Sequence, residues 1–158
     1  MYRIVEITPE HRKEVNDLIK EAWAGPIVVS RGRAWDTSVL PGFIALEGDR
    51  LCGAITYRME GNECEITTLN SLREGKGIGT GLINAVIDAA RKNRCRRVWL
   101  ITTNDNMHAI RFYQRFGFVL RAVHINAIEK SRELKPSMPP VGIDDIPILH
   151  EFEFEIIL

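Results

Sequence analysis

Residues 69–82 read Leu-Asn-Ser-Leu-Arg-Glu-Gly-Lys-Gly-Ile-Gly-Thr-Gly-Leu, with Gly75, Gly77, Gly79 and Gly81 at alternate positions. A β-rich run from Glu63 to Leu69 enters this stretch. Apolar residues at helical spacing, Leu82, Ile83, Val86, Ala89 and Ala90, leave it. The order is strand, glycine-rich turn, helix. Glycine lets the backbone bend freely and lets a ligand come close. The first turn of a helix has N–H groups without partners, and its dipole favours negative charge. Such a turn is either a plain loop or a seat for phosphate oxygens. Arg91, Lys92 and Arg94 suit the C-terminal end of that helix. Val98 to Ile101 follows as a short apolar strand of the kind buried inside a sheet. The whole is a βαβ unit, so its two strands should be parallel.

Upstream, Tyr2 to Ile7 reads as a strand, and Thr8-Pro9 as the start of a helix. Val15, Leu18, Ile19, Ala22 and Trp23 give that helix an apolar face, and Gly25-Pro26 stops it. Residues 26–41 show no regular period. They carry Arg31, Arg33 and Trp35, in either a solvated loop or a lid over a substrate. Phe43 to Leu46, Leu51 to Met59 and Glu63 to Leu69 are strands separated by turns at Gly48-Asp49 and Gly61-Asn62. They predict an antiparallel meander. Downstream, Asn106 caps a helix bearing Ala109, Phe112, Tyr113 and Phe116, and Gly117 ends it. Phe118 to Ile128 reads as a strand, and residues 129–146, with Pro136, Pro139 and Pro140, as a loop. Ile148 to Leu158 alternates Phe152, Phe154 and Ile156 with Glu151, Glu153 and Glu155, a half-buried strand with an acidic outer face. These elements predict an α+β fold of three layers, αβα, as a single domain over residues 1–158. Its central sheet is mixed and mostly antiparallel, of about seven strands, with helices on both faces.

At 158 residues the chain is long enough for its own core. Its 21 basic and 21 acidic side chains balance. That argues against a general binder of nucleic acid or membrane surfaces, which needs a basic surplus. No secretory pattern opens the chain, and no apolar run approaches the ~20 residues of a membrane span. Cys52, Cys64 and Cys95 lack CxxC spacing and read as buried thiols in a reducing cytoplasm. His11, His108, His124 and His150 show no metal-ligand spacing, so no metal is expected.

Glycine-rich phosphate turns come in distinct frames. Walker A needs GxxxxGK followed by Ser or Thr, and Lys76 stands in the wrong place. In a GxGxxG frame the third glycine position falls on Thr80, Leu82 or Asn84. Asp105, just past the next strand, keeps a dinucleotide reading open, but the meander does not suit a doubly wound fold. The chain resembles instead the GNAT superfamily of acyl-CoA-dependent N-acyltransferases, over nearly its whole order of elements. The family's [Gln/Arg]-x-x-Gly-x-[Gly/Ala] frame falls on Glu74 to Gly79. Gly77 and Gly79 match it, while Glu74 departs from it and Arg73 precedes it. Asn106 with Phe112-Tyr113-Gln114-Arg115-Phe116-Gly117-Phe118 matches the second family block.

The resemblance implies that acetyl-CoA is the co-substrate. It would lie where the strands Glu63 to Leu69 and Val98 to Thr103 splay apart. Thr68, Leu69 and Asn70 would bind the pantetheine arm through their backbone. Glu74, Gly75, Lys76, Gly77, Ile78, Gly79 and Thr80 would hold the pyrophosphate, with the Glu74 carboxylate turned away. Asn106 would reach the cofactor from the other wall. Transfer to an amine would be direct, with Tyr113 as general acid and Glu65 or Glu63 as base. Arg31, Arg33 and Trp35 would meet an acceptor carrying negative charge. The acceptor is expected to be a small-molecule or peptide amine, with no nucleic acid or membrane partner, and a homodimer is left open. The alternatives are a non-catalytic acyl-CoA-binding module and, further off, an NAD(P)-dependent oxidoreductase.

Overall fold

A computed structural model describes residues 1–158. The elements are β1 (Arg3–Glu6), α1 (Pro9–Trp23), β2 (Ile27–Ser30), β3 (Arg33–Asp36), β4 (Gly42–Glu47), β5 (Arg50–Glu60), β6 (Glu63–Ser71), α2 (Ile78–Lys92), β7 (Arg97–Thr103), α3 (Met107–Phe116), β8 (Val119–His124), α4 (Ala127–Leu134) and β9 (Glu151–Ile157). Seven strands form one sheet in the order β1-β4-β5-β6-β7-β9-β8, and β2 and β3 form a separate hairpin. Every neighbouring pair in the sheet is antiparallel except β6 and β7, which are parallel. The mixed, mostly antiparallel sheet expected from the sequence is therefore observed, and the glycine-rich turn joins its parallel pair.

The sheet is packed on both faces. On one, Leu82, Ile83, Val86 and Ala90 of α2 lock against Ile55, Cys64, Ile66, Val98, Leu100 and Phe154. Phe112, Tyr113 and Phe116 of α3 pack onto the same cluster. On the other face Val15 and Ile19 of α1 meet Ile44, Leu46 and Ala54. The buried stripe of α2 follows its helical period, which is why this helix is legible in the sequence. All three cysteines are free and buried. No helix is long and apolar enough to cross a membrane.

Three expectations are corrected. Residues 26–41 are not an irregular loop but the β2–β3 hairpin, followed by a short turn of 3₁₀ helix over Thr37–Val39. Arg31 and Gly32 turn the hairpin, with φ of 49° and 74°. The strand expected over Phe118 to Ile128 stops at His124, and α4 stands where a loop was expected. The acidic outer face of β9 is not solvated: Glu151 is 1 % and Glu153 4 % exposed. The hairpin turn and α4 reach these side chains, since the Arg31 backbone N–H and the Ser131 hydroxyl both donate to Glu151.

Candidate active site

The parallel pair comes apart. Pairing of β6 with β7 runs from Glu63↔Arg97 to Ile66↔Leu100 and stops there, although β6 continues to Ser71 and β7 to Thr103. The cause lies on the other edge of β6. Tyr57 faces Ile66 and Thr56 faces Thr68, so Thr67 is an extra residue, a β-bulge. A bulge bends its strand and increases the local twist. The Thr56 hydroxyl holds the bulge, sharing hydrogen bonds with Thr67 at 2.7 Å and Thr68 at 2.5 Å. From the bulge to Ser71, the edge of β6 that faces β7 has no backbone partner there. Leu69 packs into the main core, and Asn70 accepts from Trp23 Nε1 at 3.0 Å. What Thr68, Leu69 and Asn70 can present to the gap is therefore main chain.

At the end of the gap stands the glycine-rich turn. Gly77 precedes α2 with φ of 74°, and Gly75 has the same φ. Tyr2 fixes the turn from outside by donating its hydroxyl to the Gly77 carbonyl at 2.8 Å. At Gly79 a Cβ would lie 3.1 Å from Phe112 Cζ, so this glycine admits α3 against α2. Ile78 is buried as the first residue of α2, whereas Glu74, Lys76 and Thr80 are exposed. Glu74 makes no ion pair, and the neighbouring Arg73 is paired to Glu47.

From β7 the chain enters α3 through Asn106, whose Oδ1 accepts from Ala109 N at 3.2 Å and leaves the amide nitrogen without a partner. Tyr113 sits edge-on to Phe112 and Phe118, 5.5 Å from each. Its hydroxyl makes no hydrogen bond, and burial raises its pKa above the ordinary phenol value. It is a neutral donor at neutral pH. Asp105, the residue that kept the dinucleotide reading open, is buried and occupied: Thr103 Oγ1 and Ile143 N donate to it at 2.5 and 3.1 Å.

On the sheet face opposite α2 lies a lattice of carboxylates and arginines. Glu65 is 2 % exposed; Ser30 Oγ and Arg58 Nε each donate to it at 2.6 Å. Burial raises its pKa against the pull of Ser30 and Arg58. Burial likewise raises Glu151, against the Arg31 amide and the Ser131 hydroxyl. Glu153 is also desolvated, but its bonds to Arg97 and His124 outweigh that and hold it low. Arg96 holds Glu63 low, with help from Arg97. The two candidate bases named from the sequence are thus unequal. Glu63 is a committed ion pair, and Glu65 is a carboxylate that takes a proton more readily.

The trio Arg31, Arg33 and Trp35 is divided. Arg33 donates from Nη1 alone to both oxygens of Glu60, at 3.2 and 3.0 Å, and its Nε and Nη2 make no hydrogen bond. Trp35 is sandwiched between Arg33 and Arg58, at 4.4 and 3.9 Å from the ring centre. Arg31 lies 6.0 Å over the Trp99 ring. A cleft of about 540 Å³ opens there, lined by Arg31 and Arg33 of the trio, but not Trp35, with Ser30, Arg58, Glu63, Glu65 and Trp99 among others. Ser30, Arg58, Glu151 and Glu153 were missed as members of this face. The one trace of them in the sequence is the alternation of acids in β9 with a cation, Arg97, on a neighbouring strand.

The comparisons with known proteins agree with this geometry. Residues 8–118 match the model of the Acetyltransferase (GNAT) family. The chain is 40 % identical over 145 residues to YdhI of Bacillus subtilis, covering 91 % of each. It is 38 % identical over 138 residues to YxbD of the same organism, covering 87 % of each. Its fold superposes on a GNAT family acetyltransferase from Elizabethkingia anophelis with acetyl-CoA bound, at 16 % identity, a TM-score of 0.72, and 99 % and 98 % coverage. It superposes equally, at 16 % identity and 0.72 over the whole of both chains, on NAA60 of Arabidopsis thaliana in complex with acetyl-CoA. The chain belongs to the GNAT family of N-acetyltransferases.

A stability prediction follows from Glu151. Its raised pKa means that the folded state keeps a proton the unfolded chain has released. The contribution of Glu151 to stability is therefore fully present below the ordinary carboxylate pKa of ~4.3 and is lost as pH rises towards the folded value. Glu151→Gln removes that contribution and leaves the other groups in place. Thermal melts of both proteins across about pH 4 to 8 should show the variant gaining on wild type through that window. A constant difference would contradict the burial argument.

Proposed function

We propose that the protein transfers the acetyl group of acetyl-CoA directly to a primary amine, with the thioester lying where β6 and β7 part. The observation that carries this reading is the end of their pairing at Ile66, one residue beyond the buried, proton-accepting Glu65. The unpaired main chain of residues 67–70 suits the pantetheine arm. The turn ending at Gly77, with the first N–H groups of α2, suits the pyrophosphate.

The chemistry has three requirements, and each has a candidate in this chain. An alkylammonium of pKa ~10 must lose its proton before it attacks. Glu65 takes that proton, directly or through a water molecule, and its raised pKa makes it a stronger base than an exposed carboxylate. The amine nitrogen then bonds to the thioester carbon, and the oxyanion that forms is met by main-chain N–H donors of the β6 edge. When the carbon–sulfur bond breaks, the Tyr113 hydroxyl protonates the departing thiolate, and the products are an amide and the thiol of CoA. No enzyme nucleophile is required. Cys64, the cysteine on β6, has its thiol pushed up to about 12 by burial and stays protonated.

Two variants test the assignment. Gly77→Val places a β-branched side chain at a φ of 74° beside the first turn of α2, so acetyl-CoA binding measured by calorimetry should be lost. A folded variant that binds normally would show that this turn is not the pyrophosphate seat. Tyr113→Phe keeps the ring packing and removes only the hydroxyl. Acceptor-dependent thiol release should drop by ~10²–10⁴-fold while acetyl-CoA affinity is kept. A kcat within a few-fold of wild type, with chemistry shown to limit the rate, would make Tyr113 a packing residue.

A further inference from the structure

We propose that the acceptor carries an oxyanion group, a carboxylate or its phosphonate or sulfonate equivalent, within about 10 Å of the amine it presents to Glu65. The group would be held by Arg31, Arg96, Arg97 and Arg121. This rests on the reading that the amine is acetylated beside Glu65. A second cleft of about 540 Å³ lies beside the Glu65 cleft and shares Arg31 with it. Its walls are those four arginines with His124, Glu153 and Glu155.

Charge is the first argument. The four guanidiniums form ion pairs with only three carboxylates, Glu63, Glu153 and Glu155, and the further carboxylate beside Arg31, Glu151, is pushed towards its neutral form by burial. Donor capacity is the second. A guanidinium carries five N–H donors in a fixed fork. Arg97 engages three carboxylates at once, Nε donating to Glu63 at 2.8 Å and Nη1 to Glu153 at 2.7 Å and Glu155 at 3.1 Å; the Arg31, Arg96 and Arg121 forks are less committed. The Arg31 guanidinium makes no hydrogen bond, and its closest carboxylate oxygen, on Glu153, is 3.8 Å away. Arg121 approaches Glu155 at 3.4 Å without forming a hydrogen bond. Arg96 uses one nitrogen, on Glu63. Their side chains are 49 %, 63 % and 66 % exposed. The cleft therefore has one fixed arginine at its back and three with free forks around it. A planar oxyanion is the group such forks grip bidentately.

Backbone strain is the third argument. Arg31 occupies the left-handed region at a φ of 49°, where a hairpin turn ordinarily takes Asn or Gly. This conformation is costly for a long side chain. It turns Arg31 towards Trp99, at the point where the two clefts meet. The spacing comes from the sheet register. Glu65 faces Trp99, and Trp99 faces Glu155, so two strand separations, about 10 Å, lie between the base and the Glu155 end of the arginine cleft. An extended amino acid with its amine at the chain end fits that span. A diamine of the same length would set its second ammonium among arginines.

The test uses the intact protein and aminocaproate, its amide, hexylamine and hexamethylenediamine as acceptors of matched length. With acetyl-CoA, kcat/KM for aminocaproate should exceed that for the amide by about tenfold or more, the scale of one charge-assisted bond. The diamine should be the poorest of the four. In the double variant Arg96→Gln, Arg121→Gln the ratio of aminocaproate to amide should collapse towards unity, mainly through KM. Calorimetry of the same compounds on the CoA-loaded protein reads recognition without chemistry. Preferential binding of aminocaproate with no acetylation of any amine would keep the oxyanion site and overturn the transfer reading. Acetylation that favours the amide or the diamine, or a preference that survives the double variant, would overturn the oxyanion site and leave the transfer reading standing.

Discussion

One extra residue on one strand sets the geometry of this molecule. Thr67 has no partner across from it on β5, and the strand bends away from β7 where it occurs. The parallel pair is held below that point by Glu63–Ile66 against Arg97–Leu100 and is open above it. The open edge is costly to leave dry, because backbone N–H and C=O groups must find partners. An extended ligand with amide groups of its own satisfies them as a strand would. The elements around the gap follow from the same branch point. β6 runs on into the glycine-rich turn and α2, whose apolar face anchors the turn on the sheet. β7 runs on into α3, which carries Tyr113. Both walls of the opening thus lead into helices, β6 into α2 and β7 into α3.

The opposite face of the same strands is organised by the balance between desolvation and pairing. Four carboxylates stand there, Glu65, Glu151 and Glu153 buried and Glu63 half-buried, and their neighbours sort them. Glu63 and Glu153 touch guanidiniums from Arg96 or Arg97 and are held ionised. Glu65 and Glu151 are raised because burial outweighs the bonds they receive. Arginines stacked on Trp35 and Trp99 keep the lattice in register. The proposed proton acceptor and the proposed anion grip sit side by side in this lattice, where neighbouring charges are cancelled locally. Catalysis of amine acetylation needs both a base that accepts a proton and an orienting contact remote from the reacting nitrogen.

The parts of this arrangement that were legible in the sequence are those with a strong local signal. The alternate glycines, the helical period of α2, the Asn106 cap and the aromatic stripe of α3 each fix an element by themselves. The hairpin β2–β3 was not legible because its strands are four residues each and its turn puts Arg31, not Asn or Gly, at positive φ. Helix α4 has eight residues and lies close to a proline-rich segment, so its period is too short to stand out. The burial of Glu151 and Glu153 could not be read from β9, because an alternating strand looks half solvated until its cover is known. That cover is the hairpin and α4, the two elements that were missed. Tyr113, Glu65 and Glu63 were singled out from a family resemblance. The choice between the two glutamates needed Arg96, Arg97 and Ser30 in place around them.

The open edge of β6 is the proposed seat of acetyl-CoA, and amide hydrogen exchange reads that edge directly. On saturation with acetyl-CoA, exchange should slow at the backbone amides of residues 67–71 and of residues 77–80. It should stay unchanged along β8 at the far edge of the sheet. Tight binding of acetyl-CoA with no protection of residues 67–71 would contradict that placement.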